Sequence, residues 1–491
     1  MNENVRPTLR FLSDKLVSEI IDEAFDLLAR YGVYVENKEA VGLLAAAGAS
    51  VERTAGAGER VRIPRKLGED ALASVPPVVK LYDRSGEKEY VVGGDEVHFD
   101  PGSAAVSLLD PETQAERKAD TADLVRFYRL VETLENIHLQ STGLISADVP
   151  HAVADAYRLY VGLRLSHKPF VTGTFRVEGF AAMRDMLAAV RGGEAELRRR
   201  PLAIFDACPS PPLKWSNLTT QSLIDAARAG IPSELISMGL TGATSPVTIA
   251  GTLVQHTAEN LAGIVISQLA ERGAPVIFGG SPSSFDMRKG TTPMGAIETM
   301  MIDCGYAQVG KRLNLPTHAY MGLSDAKVVD AQAGLETALG AVLAALAGVN
   351  VVSGPGMLDF ESCQSLEKLA VDNEICGMAY RVVAGIAKRE SPLAVHLFDQ
   401  LTPESQFLLL DHTLKWMRQE HTFPSLADRD NYQNWAAAGR KTMADRARQD
   451  VASRLARPDA PPLAEAVRRD LEKVMKAYAK AGGNADLPPL P

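Results

Sequence analysis

A polar segment, residues 323–336, carries the side chains with the clearest capacity for chemistry. It follows an apolar run and contains three acids, an amide and an amine: Asp325, Asp330, Glu336, Gln332 and Lys327. If the run is a strand and the segment opens a helix, these groups lie at the strand's carboxyl end, where Asp325, Gln332 and Glu336 can position a substrate. The alternative is an N-capped helix whose acids meet only solvent.

A second polar segment, residues 281–290, is predicted to be a long loop after another apolar run. Long loops beside an active face are commonly functional. Arg288 in this loop, or Lys327 in the first segment, is a candidate partner for a substrate carboxylate. The alternative is that both are ordinary surface cations.

Aromatic side chains at or near the ends of the apolar runs form a third candidate set. The chosen members are Phe99, Trp215, Phe278 and Tyr320. Taken together they can form a cage for a quaternary ammonium, with a cation–π attraction of about 0.5–2 kcal/mol per ring. Each of them taken singly is also a reasonable core residue.

Several common catalytic signatures are absent from the sequence. There is no H-E-x-x-H, no P-loop lysine motif and no G-x-S-x-G. The four cysteines are far apart and the nine histidines are scattered, so we predict no metal site and no disulfide framework. We also find no carboxylate pair for acid–base catalysis, and the catalytic residues stay unassigned.

Eight strand-like runs must position these groups. Seven of them are apolar, end in Gly, Ser, Asp or Pro and precede helix-length segments, and an eighth candidate lies before the first helix. The runs span residues 97–102, 138–145, 168–175, 201–207, 234–240, 275–280, 317–324 and 349–355. Eight strands alternating with helices predict an α/β fold, a (β/α)8 TIM barrel, whose chemistry lies on the loops after the strands.

The barrel is predicted to occupy residues 96–390. Residues 1–95 form an N-terminal α+β extension, with helices near 13–31 and 38–47 and strands near 61–63, 78–82 and 89–92. Residues 391–491 form a C-terminal helical extension, with predicted helices at 403–418 and 431–456, a tail rich in proline and charge, and fraying of the last few residues. We interpret this extension as a cap or an oligomer arm, which predicts a homo-oligomer.

The overall composition excludes several classes of protein. Of the 491 residues, 46% are hydrophobic and 23% charged, as in an ordinary globular protein. The net charge of −9, with no basic stripe, argues against a nucleic-acid partner. No apolar stretch is long enough to span a membrane, and the N-terminus has no signal-peptide pattern, so we expect a cytoplasmic protein.

At these loops the sequence resembles the trimethylamine methyltransferase family of corrinoid-dependent amine and betaine methyltransferases. The similar segments are residues 285–290 with Gly295 and Glu298, 322–327 with 330–332, and 354–358, besides several C-terminal positions, among them His412, 418–420, Pro424, 428–429 and Trp435. The resemblance extends over nearly the whole chain. It implies a TIM barrel that transfers a methyl group from a methylated amine to the Co(I) of a corrinoid protein docked over the barrel mouth, with cobalamin arriving on that partner.

The chain departs from the founding members of this family, which carry pyrrolysine, because it contains only the twenty standard residues. The resemblance is therefore to the glycine betaine methyltransferases, and the implied substrate is a small quaternary amine, with proline betaine and carnitine as alternatives to glycine betaine. A quaternary ammonium already carries a neutral leaving group. Positioning and desolvation then suffice, without a general acid.

Two other functions remain open at this point. One is an aldolase-like or isomerase-like barrel in which Lys327 forms a Schiff base and the turn at residues 354–356 holds a phosphate. The other is a non-catalytic barrel that only binds a betaine.

Overall fold

The N-terminal part of the molecule is a small α+β extension. The computed structural model describes residues 5–56, 58–483 and 487–490. Both predicted helices and the three predicted strands of the extension form, and two strands and one helix are additional. The elements are α1 (Asp14–Arg30), β1 (Val33–Val35), α2 (Lys38–Ala46), β2 (Ser50–Arg53), β3 (Glu59–Arg62), α3 (Arg65–Leu72), β4 (Val78–Tyr82) and β5 (Glu89–Gly93).

All eight predicted barrel strands are present, each shorter than its apolar run. They are β6 (His98–Asp100), β9 (Gln140–Ser141), β10 (Phe170–Thr172), β11 (Ala203–Ala207), β13 (Ser233–Ser237), β15 (Val276–Gly280), β17 (His318–Tyr320) and β18 (Val351–Ser353). Short strands lie between them in the loops: β7 (Ser107–Leu109), β8 (Glu116–Arg117), β12 (Lys214–Trp215), β14 (Leu240–Thr241), β16 (Ser283–Ser284), β19 (Met357–Leu358) and β20 (Cys363–Gln364).

The barrel strands pair in parallel in two groups. One sheet has the order β15-β13-β11-β10-β9, and the other has the order β17-β18-β6. A parallel bridge between Phe278 and Thr317 joins them on one side. On the other side the backbone N–H groups of His138 and Leu139 donate to the carbonyl of Phe99, at 2.9 and 3.1 Å. The fold is therefore of the predicted TIM-barrel type.

Helices follow the strands as predicted. They are α4 (Thr121–Glu132), α5 (Ala154–Leu165), α6 (Val177–Arg191), α7 (Glu194–Arg199), α8 (Asn217–Ala229), α9 (Ile249–Ala270), α10 (Ile297–Arg312), α11 (Ala331–Ala347) and α12 (Leu366–Val383). Their ends follow from local sequence. The Ser216 side chain caps the start of α8, and Gly230, in the left-handed conformation with φ 69°, ends it.

The amino-terminal end of the barrel is sealed by apolar side chains. Inward-facing residues of five barrel strands meet the β4–β5 hairpin of the extension in one buried cluster: Val79, Leu81, Tyr90, Val92, Leu139, Val171, Ile204, Ile277 and Val351. A barrel core of this kind is a packed interior and not a pore. Any space that a ligand can enter must therefore lie towards the carboxyl ends of the strands.

The C-terminal part is helical, but its boundaries differ from those predicted. It contains α13 (Val395–Phe398), α14 (Asp411–Glu420), α15 (Tyr432–Ala437), α16 (Met443–Leu455) and α17 (Glu465–Ala481). The helix predicted over 403–418 begins only at Asp411. The one predicted over 431–456 is split, because Gly439 and Arg440 adopt positive φ angles of 96° and 55°. Helix α17 is additional to the predicted helices, and the last few residues, predicted to be frayed, lie partly outside the described residues.

In the part of the chain that the structure describes, every helix is too short or too polar to cross a membrane.

Candidate active site

Acidic side chains occupy the barrel interior towards the carboxyl ends of the strands. Successive side chains along a strand point to opposite faces. Ile204 of β11 points into the barrel, and so does the side chain of Asp206, two residues later. Glu234 on β13 and Asp100 on β6 are fully buried. Glu361, from the loop between β19 and β20, completes the set. We call Asp100, Asp206, Glu234 and Glu361 the acidic cluster.

Asp206 and Glu234 form a carboxyl pair. They are direct register partners on the adjacent strands β11 and β13, which places both side chains on the inner face. They lie close enough for one carboxyl to donate a hydrogen bond to the other when protonated. Burial raises the pKa of Asp206 to about 6, and burial next to Asp206 raises the pKa of Glu234 well above its ordinary value. A carboxyl pair is thus present that the sequence analysis did not find.

Asp100 belongs to a polar row across three neighbouring strands. Ser353 Oγ donates to Asp100 Oδ2 at 2.7 Å and lies 3.0 Å from His318 Nε2. His318 Nε2 is also 3.7 Å from a carboxylate oxygen of Glu234, so the row reaches the carboxyl pair. Burial lowers the pKa of His318 to about 3 and raises that of Asp100 well above its usual range. Burial therefore favours the uncharged form of both groups.

Glu361 enters the site from a left-handed stretch of backbone. Asp359, Phe360 and Glu361 have φ angles of 48°, 55° and 69°, a conformation that non-glycine residues adopt at a cost of about 1–3 kcal/mol each. Glu361 Oε1 accepts a hydrogen bond from the backbone N–H of Ser103 at 3.0 Å. Burial raises the pKa of Glu361 well above its ordinary value. Strain retained at such a point indicates that the position of this carboxyl matters.

Lys327 stabilises that left-handed stretch. Its Nζ lies 2.9 Å from Asp359 Oδ1 and 3.9 Å from the centre of the Phe360 ring, and donates to the Asp325 carbonyl at 2.6 Å. The Lys327 side chain is 58% exposed. The contacts therefore place Lys327 at the rim, where it acts on the backbone that carries Glu361.

The charge of the acidic cluster depends on the pKa shifts of its four carboxyl groups. Burial raises the pKa of Asp100, Glu234 and Glu361 well above its usual range and so favours their protonated forms, whereas Asp206, with a pKa of about 6, is mostly ionised at neutral pH. Unlike Asp100 and Glu234, Asp206 keeps some solvent-accessible surface. No described donor reaches Asp100 Oδ1, Asp206 Oδ1 or either carboxyl oxygen of Glu234. Among the described residues, Asp206 has a hydrogen-bonding neighbour in Glu234 but no cation at ion-pair distance, so its negative charge suits a cationic ligand.

Of the four aromatic residues predicted to form a cage, Tyr320 faces this interior. Its hydroxyl lies 3.0 Å from Ser103 Oγ, and its ring meets the His318 ring edge-on with centroids 4.8 Å apart. The negative charges of Asp206, Glu361 and Glu234 add to burial in raising the pKa of its hydroxyl. Tyr320 therefore lies beside the acidic cluster.

The structure does not bring the other three together with Tyr320. Phe99 packs edge-on against Tyr380 of α12, with ring centres 5.4 Å apart. Phe278 packs against His256 of α9 at 5.4 Å. The Trp215 ring fills the space beside Gly263 of α9 and is fully buried. All three point towards the helical layer, because they lie on the outer face of their strands or in the peripheral strand β12.

The predicted loop residues are tied to one another. Glu336 Oε2 accepts hydrogen bonds from Ser324 Oγ at 2.6 Å and from the Asp325 N–H at 2.8 Å, and Gln332 Nε2 donates to Glu336 Oε1 at 2.9 Å. Asp325 accepts from the backbone N–H groups of Met294 and Gly295, at 3.0 and 2.9 Å. This network joins the loops after β15 and β17 to α11, so its contacts position these loops. That Asp325, Gln332 and Glu336 also position a substrate stays a prediction.

Arg288 lies apart from the interior. Its guanidinium is 88% exposed and pairs with Asp286 of the same loop at 2.8 Å. Its predicted contact with a substrate carboxylate also stays a prediction.

Among the residues that the structure describes, no group of three or more His, Cys, Asp or Glu side chains is arranged to hold a metal ion. The acidic cluster lines the interior without converging on a point. Its oxygen atoms can surround a larger organic cation.

Fold and site together define a TIM-barrel protein with an acidic, partly accessible interior at the carboxyl ends of its strands, the end at which such barrels carry out chemistry. Comparison with known proteins is more specific. The family model described as "Trimethylamine methyltransferase (MTTB)" matches residues 1–483. The chain belongs to the trimethylamine methyltransferase family.

Individual relatives agree with this membership. The chain is 34% identical to the trimethylamine methyltransferase MttB of Desulfitobacterium hafniense over 94% of this chain and 93% of that protein. It is 30% identical to a glycine betaine methyltransferase of the same species, over 88% and 89% of the two chains. The structure of the Methanosarcina barkeri monomethylamine methyltransferase MtmB shares the fold, with a TM-score of 0.51, 11% identity and coverage of 96% and 95%.

Proposed function

We propose that this protein transfers a methyl group from a small quaternary amine, glycine betaine in the first instance, to the Co(I) of a corrinoid carried by a separate protein. The carrying observation is Asp206, which is partly accessible, lies beside Glu234 on the inner face of the barrel and, with a pKa of about 6, is mostly ionised at neutral pH. A quaternary ammonium beside this carboxylate gains a counter-charge that water does not screen. Tyr320 adds an aromatic surface next to it.

The reaction itself asks little of the protein in acid–base terms. The Co(I) nucleophile attacks the methyl carbon, the C–N bond breaks and its electron pair stays on nitrogen, which leaves dimethylglycine. The chain holds the N–CH3 bond in line with the acceptor and keeps water away. The corrinoid is thus a co-substrate brought by a partner and not a resident cofactor.

Exposed apolar side chains on the loops around the barrel mouth support docking of that partner. They follow β6, β13 and β15 and include Val106 (46% exposed), Val247 (66%) and Met287 (63%). Apolar residues exposed together on one face are typical of protein–protein contacts.

We extend the proposal to a homo-oligomer assembled through the C-terminal helical part, where Leu408, Leu409 and Leu414 are also exposed. We further propose a cytoplasmic location, which the unpaired cysteines support.

The test is methyl transfer to reduced cobalamin. The purified chain is incubated with glycine betaine and cob(I)alamin, and methylcobalamin is followed by absorbance and dimethylglycine by mass spectrometry. We expect both products in equal amounts. Proline betaine and carnitine, assayed in parallel, identify the preferred betaine. Absence of methylcobalamin with every betaine, despite tight binding, would instead support the non-catalytic betaine-binding barrel.

One observation favours a second substrate, trimethylamine. A tertiary amine must be protonated before its methyl group can leave, and burial raises the pKa of Glu234 and Glu361 and so favours their protonated, proton-donating forms. Trimethylamine therefore belongs in the same assay. Formation of dimethylamine at a rate above that of dimethylglycine would move the assignment to the tertiary amine.

A further inference from the structure

A buried arginine without an acidic partner lies near the acidic cluster. Arg158, on the second turn of α5, is 2% exposed. No carboxylate of the described residues comes within 4.0 Å of its guanidinium. Its Nη1 donates to the carbonyl of Thr142, whereas its fully buried Nε and its Nη2 donate to no described residue. A buried cation left unpaired in this way costs several kcal/mol.

The surroundings of Arg158 place its guanidinium near the mouth of the barrel. Thr142 directly follows β9, and Phe175, whose ring lies 4.4 Å from the guanidinium carbon, follows β10. Phe175 keeps some solvent-accessible surface. The charge of Arg158 acts on Asp206 and partly offsets the effect of burial on the pKa of that carboxyl. A partly accessible aromatic ring therefore contacts this cation, and a carboxylate lies near enough to feel its charge.

The two cations predicted from sequence are engaged elsewhere. Arg288 is paired with Asp286, and Lys327 with Asp359. Of the three, Arg158 is the buried one, and its Nε has no described acceptor. The negative Asp206 and the positive Arg158 then match the two ends of a zwitterion.

We propose that Arg158 binds the carboxylate of a zwitterionic substrate whose ammonium group faces Asp206, and that it thereby sets the preference for betaines over cations without a carboxylate. The inference rests on the proposed function, because it assigns one end of that substrate. A guanidinium is suited to the task, since its planar donors match the two oxygens of a carboxylate.

The test compares two ligands that differ at one group. Glycine betaine and choline share a trimethylammonium group on a two-carbon chain, which ends in a carboxylate in one and a hydroxyl in the other. Calorimetric titration of the full chain should give tighter binding of glycine betaine. In Arg158→Gln we expect glycine betaine to bind about 10- to 100-fold more weakly, the usual range for charge-assisted hydrogen bonds, with choline changed less than about 3-fold. Arg158→Lys should fall between the two.

Arg164→Gln serves as the matched control. Arg164 lies on the same helix and also stacks on an aromatic ring, that of Tyr160, to whose hydroxyl its Nη1 donates at 2.7 Å. The Arg164→Gln variant is expected to bind both ligands as tightly as the wild type does. If Arg158→Gln does not fold, the wild-type preference and Arg158→Lys decide the question.

Two results would overturn the inference and leave the proposed function standing. One is an equal loss of affinity for both ligands in the folded Arg158 variants, which would show that Arg158 only holds the backbone at Thr142 in place. The other is a wild type that binds choline as tightly as glycine betaine. A wild type that binds neither ligand would contradict the proposed function as well.

Discussion

The two ends of the barrel interior are built from the same strands but differ in chemistry. On β11, Ile204 points into the apolar cluster at the amino-terminal end, and Asp206, two residues later, points into the acidic cluster. Burying a side chain such as Ile204 stabilises the fold by about 1.5–3 kcal/mol, whereas burying a carboxyl without a donor opposes folding. The apolar end therefore stabilises the fold, and the acidic end lowers that stability because it buries the carboxyl groups of the site.

The largest expected effect comes from removing the charge at the acidic end. Asp206→Asn keeps the shape of the side chain and a hydrogen-bonding partner for Glu234, but leaves the ammonium without its counter-ion. We expect kcat/KM for methyl transfer to fall about 100- to 1000-fold, as for the loss of one preorganised electrostatic contact. Initial rates with glycine betaine and cob(I)alamin measure it.

The same variant should be more stable than the wild type, but only at higher pH. The pKa of Asp206 is raised on folding, so its contribution to stability is greatest below the unfolded pKa and declines as the pH rises to about 6. Asn has no such dependence, and the gain in Tm should be present at pH 8 and absent near pH 4. Asp225→Asn on α8, also half-buried with a raised pKa, is the control and should leave the rate within about 2-fold. An Asp206→Asn enzyme with wild-type activity would remove Asp206 from the site.

At the opposite end a change should affect stability and not chemistry. Leu81→Ala in β4 leaves a cavity in the apolar cluster and is expected to lower the free energy of unfolding by about 2–5 kcal/mol. Val78→Ala, on the same strand but 39% exposed, should change it by less than about 0.5 kcal/mol. Denaturant unfolding gives both values. A large fall in kcat for Leu81→Ala at a temperature where it is fully folded would show that the two ends are coupled.

The contrast between the two ends also explains what sequence reasoning could reach. The eight runs and their helices are strong signals, because buried parallel strands are continuously apolar and the following helices have clear starts. That same continuity hides which way a side chain points. Phe278 and Tyr320 look alike in the sequence, yet Phe278 faces α9 and Tyr320 faces the interior.

Two members of the acidic cluster have a signal in the sequence. Asp206 and Glu234 lie within the apolar runs 201–207 and 234–240, and acidic residues are rarely buried in such runs unless they are paired. Glu361 had no such signal, because the left-handed backbone at 359–361 that brings it inward has no glycine to mark it. Arg158 lies inside a predicted helix, and only the packing of that helix on β9 and β10 places its guanidinium near the mouth.

A third prediction concerns pH. With a pKa of about 6, Asp206 is about nine-tenths ionised at pH 7 and about one-tenth at pH 5, so glycine betaine should bind about tenfold more weakly at pH 5. His318 does not interfere, since its pKa is lowered to about 3. Titration calorimetry across this range measures the effect. Asp325, in the loop network, also has a pKa of about 6, so a dependence that persists in Asp206→Asn would assign it to Asp325.

The smallest expected effect concerns the aromatic wall of the acidic end. Tyr320→Leu removes the ring from the interior and should weaken binding of glycine betaine about 2- to 5-fold, the size of one cation–π contact at a partly accessible site. Tyr320→Phe keeps the ring and loses only the contact of its hydroxyl with Ser103, so it should stay closer to the wild type. Phe278→Leu is informative beside them, because Phe278 packs against the helices and its loss should lower stability without changing affinity. If Phe278→Leu weakens binding more than Tyr320→Leu does, the ammonium lies elsewhere than beside Asp206, and the division between the two ends would have to be redrawn.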